Sequence, residues 1–102
     1  MMMMMNLKAA VAAVAIVAAS GAAAETKQET CTTIGKLAAI IMENRQEGVD
    51  MSKLMEIAET ELVQRLVIFA YDTPRYSSED YKRTAVQDFA NEAMGVCYGS
   101  DW

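Results

Sequence analysis

Few residues in this chain can do chemistry, and their types narrow the options at once. The sequence holds two cysteines, Cys31 and Cys97, no histidine, and 14 Asp and Glu against 9 Lys and Arg. With no imidazole and only two thiols, the familiar zinc sites, His-based triads and His acid–base pairs cannot be assembled within the chain. Carboxylates remain, as general acids and bases or as calcium ligands. Glu56, Glu59 and Glu61 gather around one segment and Glu79 with Asp80 at another, without the D-x-D-x-D-G spacing of a calcium loop. Glu79 and Asp80 suit the first turn of a helix, where the macrodipole favours negative charge, and the others suit a solvated face. The expectation is a protein with no catalytic residue, no metal and no cofactor. An enzyme built from Arg and Glu alone would need an enclosed cavity lined by Arg45 or Arg65 with Glu56, for which so small a chain leaves little room.

The cysteines direct attention to the compartment. Lys8 precedes the unbroken apolar run Ala9 to Ala19, followed by Ser20-Gly21 and Ala22-Ala23-Ala24. That is the three-part layout of a secretory signal peptide covering residues 1–24, with cleavage expected after Ala24. The run is too short and too Ala-rich to span about 30 Å of hydrocarbon as a stable anchor. The mature chain, 25–102, is expected in the periplasm or outside the cell, and losing Lys8 takes its net charge from −5 to −6. In an oxidising compartment Cys31 and Cys97 are expected to pair. Closing a loop of more than sixty residues is worth about 4 kcal/mol in the chain-entropy model, comparable to the net stability of a small domain. Redox-active thiols would call for a C-x-x-C spacing or a basic neighbourhood, and neither is visible.

Candidates for recognition rather than catalysis centre on Tyr71-Asp72-Thr73-Pro74-Arg75-Tyr76. Tyr71, Arg75 and Tyr76 surround a rigid turn, and Tyr and Arg are enriched at binding hot spots. Arg45 and Trp102 are weaker candidates of the same kind. The competing reading is that Tyr71 packs a helix end, Tyr76 staples the next helix and Arg75 is merely exposed, and it is the stronger one. Met42, Met51, Met55 and Met94 could form an adaptable groove but at helical spacing read better as core. The acidic balance argues against nucleic acid, which demands a surplus of Lys and Arg on one face.

Helices must position all of these. Glu25 to Thr30 reads as a flexible polar lead-in, after which Thr32 or Thr33 caps a helix with Ile34, Leu37, Ala38, Ile41 and Met42 on one stripe. Lys36, Glu43, Asn44, Gln46 and Glu47 fall on its other face, and Gly48 ends it. Asp50 caps the next helix, with Val49 and Leu54 as a hydrophobic staple. Polar Glu59-Thr60-Glu61 leaves open whether one bent helix or two short ones follow. The apolar run from Leu62 to Tyr71 is expected to be the most buried element. Pro74 stops it, Ser77 caps the last helix with Asp80 at N3 and Tyr76 with Tyr81 as a staple, and Gly99 ends that helix before a tail. The inward stripe Tyr81, Ala85, Phe89, Ala93, Val96 brings Cys97 to the final turn. The fold class is therefore all-α, a small bundle of three or four helices with one disulfide joining the first and last.

The stretch Cys31, Gly35-Lys36-Leu37-Ala38, Ile41-Met42 and Arg45-Gln46-Glu47-Gly48-Val49-Asp50-Met51-Ser52, with Leu66-Val67-Ile68, Ala70-Tyr71, Pro74-Arg75-Tyr76, Phe89 and Cys97-Tyr98, resembles small exported two-cysteine proteins of bacteriophages and prophages. The resemblance covers most of the mature chain, but its motifs are helix caps and core positions. It implies export, one disulfide and a phage origin, and assigns no activity to any residue. The leading expectation is a non-enzymatic protein that binds a host or phage envelope protein, in lysis control or superinfection exclusion. A small acid-responsive periplasmic chaperone is the alternative.

Overall fold

The computed structural model describes residues 26–101. The leader and its cleavage point, Glu25 and Trp102 lie outside the described residues. Within them the chain forms four helices and no strand: α1 (Lys27–Glu47), α2 (Met51–Ile57), α3 (Glu61–Tyr71) and α4 (Glu79–Gly99).

α1 begins earlier than its apolar stripe indicates. Thr26 is the N-cap, its hydroxyl accepting from the Glu29 N–H at 3.0 Å while the Glu29 carboxylate accepts from the Thr26 N–H at 3.1 Å. This reciprocal box satisfies two backbone donors. Residues 27–30, expected as part of a flexible lead-in, are therefore the first turn of α1, and neither Thr32 nor Thr33 is its cap. The same turn is tied to the far end of the chain, where Lys27 Nζ donates to the Ser100 carbonyl at 2.6 Å. At the other end Gly48 adopts φ 89°, and the Gly48 and Val49 N–H groups donate back to Arg45 and Asn44 carbonyls at 3.1 and 3.0 Å. That left-handed closure is open to glycine without a Cβ penalty.

Asp50 caps α2, as its position predicts, through the Ser52 N–H. Ala58 leaves the helix in an extended conformation and Thr60 caps α3 through the Val63 N–H at 3.2 Å, so residues 51–71 form two helices, not one bent helix. Ser78 rather than Ser77 caps α4, accepting from the Tyr81 N–H at 3.1 Å. The Tyr76 N–H is held by the Gln46 side chain, which keeps Tyr76 outside the helix and delays its start by one residue. Asp80 consequently does not close a capping box and pairs with Arg83 at 3.0 Å. The rings of Tyr76 and Tyr81 still meet, 5.9 Å apart. Gly99 does not stop α4 but is its last residue, with Ser100 as the extended cap.

Cys31 and Cys97 form the expected disulfide, joining the first and last helices with their Cα atoms 5.5 Å apart. α1 packs on α4 and on α3, and α2 packs on α3, whereas the backbones of α3 and α4 scarcely approach one another. The core consists of Ala38, Ile41, Met42, Leu54, Leu66, Val67, Ala70, Ala85 and Phe89. Each large side chain buried there contributes on the order of 1.5–3 kcal/mol. The most buried element is α1, with Cys31, Gly35, Ala38, Ile41, Met42 and Gln46 all inside, and not α3. An eleven-residue helix packed on α1 and α2 alone covers one side only, and Leu62, Ile68 and Phe69 remain exposed. Both ends of the anticipated α4 stripe, Tyr81 and Val96, are likewise exposed.

Candidate functional site

Two regions combine candidate side chains, and they lie at opposite ends of α1. The first is the junction of the α1 C-terminus with the loop between α3 and α4. Gln46, expected on the solvent face, is 1% exposed. Its Nε2 donates to the Pro74 carbonyl at 2.9 Å and its Oε1 accepts from the Tyr76 N–H at 2.8 Å. The Gln46 carbonyl in turn accepts from Arg75 Nε at 3.2 Å and Lys82 Nζ at 3.3 Å. A buried amide is tolerated because both ends of it are satisfied. The signal was in the spacing: Cys31, Gly35, Ala38, Met42 and Gln46 follow one another at intervals of four, three, four and four, placing Gln46 on the buried stripe.

Arg45 reaches the same loop, donating from Nε to the Thr73 carbonyl at 2.9 Å, and its guanidinium lies 4.9 Å from the centre of the Tyr71 ring. The Tyr71 hydroxyl donates to the Val49 carbonyl in a short hydrogen bond. Burial pushes that hydroxyl above its ordinary pKa and nearby Asp50 adds to the rise, with Arg45 opposing it. The structure thus brings Arg45, Tyr71, Arg75 and Tyr76 together, the first three donating to backbone carbonyls and Tyr76 held through its own N–H by the Gln46 side chain. They lock a loop to a helix end. Among the described residues no three carboxylates or thiols converge as a metal site.

The second region is a groove of about 730 Å³ between α3 and α4, floored by α1 near the disulfide. Leu62, Leu66 and Phe69 form its α3 wall, and Phe89, Ala93 and Val96 its α4 wall. Both rows follow spacings of four and three, the ridge pattern of a helix surface. The groove is open: Leu62 is 49% exposed, Phe69 58% and Val96 70%. Its floor includes Ile34, and Thr30, Cys97 and Ser100 bound the end nearest the disulfide.

Two charged side chains line the groove. Arg65 is already paired with Glu61 at 2.8 Å. Glu92 has no ion-pair partner among the described residues. The groove differs from the enclosed cavity that an Arg–Glu enzyme would need, since it is open and Glu56 is not part of it. Sequence reasoning missed this surface, although α3 carries an apolar arc wider than one packed face requires. Among the described residues no helix is long and apolar enough to cross a membrane. No known family model, curated protein or solved structure matches the chain.

Proposed function

We propose that this protein is a small exported, non-enzymatic interaction protein that holds a partner protein of the cell envelope in the groove between α3 and α4. The observation that carries this reading is the open apolar groove itself, in which Leu62, Phe69 and Val96 are exposed together along one cleft, whereas the other exposed apolar side chains, among them Ile40, Ile57 and Tyr81, lie outside it. Exposed apolar surface concentrated along one cleft marks an interaction site. A disulfide between the first and last helices fits service outside the cytoplasm, in a periplasmic or secreted setting. The partner in this reading is a host or phage envelope protein, in lysis control or superinfection exclusion, and the resemblance to phage and prophage exported proteins supports the phage origin it assumes.

The test is site-specific photocrosslinking in the periplasm, with a photoreactive amino acid replacing Phe69 in the groove or Ile40 on an exposed part of α1. One saturable adduct from position 69 and none from position 40 is the expected result. No adduct specific to position 69 would overturn the proposal.

A periplasmic chaperone is the second reading, favoured by the same exposed side chains. A chaperone would crosslink from position 69 to many unrelated proteins without saturation and would slow their aggregation.

A further inference from the structure

We infer that the occupant of the groove is an amphipathic helix whose apolar stripe is flanked by Lys or Arg. This inference rests on the interaction reading above and names the chemistry of its partner.

The shape comes first. α1 and α4 are long helices packed side by side, α3 also packs on α1, and among the described residues no helix fills the groove between α3 and α4. Its walls are two helical ridges, Leu62–Leu66–Phe69 and Phe89–Ala93–Val96, and the small Ala93 in the middle of one lets a neighbour approach closely. Ridges at these spacings accept the ridge of another helix. The described residues contain no sheet edge onto which an extended peptide could add, so helix-in-groove docking is the recognition mode available.

Charge then selects among helices. Arg65, which lines the groove, is paired with Glu61, Lys27 at one end of the groove is bound to the Ser100 carbonyl, and Glu92 has no ion-pair partner among the described residues. The chain as a whole carries −5. A basic flank gains a partner at Glu92, and an acidic flank meets repulsion there and in the field of the whole domain. A second copy of this chain fits poorly. It would bring one acidic domain against another. An anionic membrane surface meets the same repulsion.

The experiment uses the oxidised protein purified from cells expressing the full chain, and two 18-residue peptides with one Leu stripe, flanked by Lys in one and by Glu in the other. Fluorescence anisotropy at low ionic strength is expected to show saturable binding of the Lys-flanked peptide, at least tenfold tighter than the Glu-flanked one. Glu92→Lys should remove most of that preference, and Leu62→Asp or, as an independent variant, Val96→Asp should weaken both peptides while helical circular dichroism is retained. Equal affinities, or a preference untouched by Glu92→Lys, would overturn the charge assignment. So would sedimentation showing a dimer that Val96→Asp dissociates, or binding to anionic vesicles in preference to the peptides. If neither peptide binds while position 69 still crosslinks to a saturable protein, the basic helix is wrong and the interaction reading stands. If position 69 crosslinks to nothing, the interaction reading itself fails.

Discussion

Gly35 of α1 faces Met94 of α4 so closely that a Cβ at position 35 would lie 2.6 Å from Met94 Cγ and 2.7 Å from its Sδ. The absence of a side chain at residue 35 is what lets the two long helices meet one turn from the disulfide. Gly35→Ala gains about 1 kcal/mol of helix propensity and forces Met94 out of its place, a strain of roughly 1–3 kcal/mol. A net loss of about 1 kcal/mol is expected in urea unfolding. In a Met94→Ala background the same substitution should instead stabilise by about 0.5–1 kcal/mol, because the obstruction is gone and the propensity remains.

Removing the disulfide should cost more. Cys31→Ala with Cys97→Ala lengthens the accessible chain by freeing a 66-residue separation, worth about 4 kcal/mol. For a domain of this size that is most of the stability at hand. Thermal unfolding with and without a reductant checks it, and an unchanged midpoint in reductant would contradict the role given to the bridge.

Gln46→Ala opens a different lock. It leaves the Pro74 carbonyl and the Tyr76 N–H without their partner and a void beside Met42, at a cost of about 2–3 kcal/mol. Hydrogen exchange should locate the loosening in residues 72–78 while the α1–α4 pairing near the disulfide stays protected.

Tyr71→Phe removes the hydroxyl that donates to Val49, at about 1 kcal/mol near neutral pH. Because burial raises the pKa of Tyr71 above its unfolded value, its contribution is complete below about pH 10 and is lost as pH rises through the folded value. The native chain should therefore lose stability on alkaline titration by an increment that the Phe variant lacks. Parallel pH dependence of the two chains would contradict it.

How much of this was legible in the sequence depended on whether a feature was local. Asp50 and Gly48 were readable because capping and left-handed closure are decided by a few adjacent residues, whereas Glu59-Thr60-Glu61 fitted one bent helix as well as the two that form. The Cys31–Cys97 pairing was readable because only one pairing exists. The α1 start was missed because attention to apolar period hid the polar box at Thr26 and Glu29. Gln46 was misplaced because its polarity outweighed its position on the buried stripe, and its bond to the Tyr76 N–H spans thirty residues, so nothing near Ser77 announces it. The same blindness applied to the groove. Leu62, Phe69 and Val96 look like core residues one helix at a time, and only the separation of α3 from α4 leaves them in solvent.

The bridge between Cys31 and Cys97, with Lys27 bound to Ser100, gathers the beginning and the end of the described chain at one pole, beside Thr30 and Ser100 at the mouth of the groove. A label attached at Thr26 or Asp101, the first and last described residues, therefore sits beside the groove proposed to hold a partner.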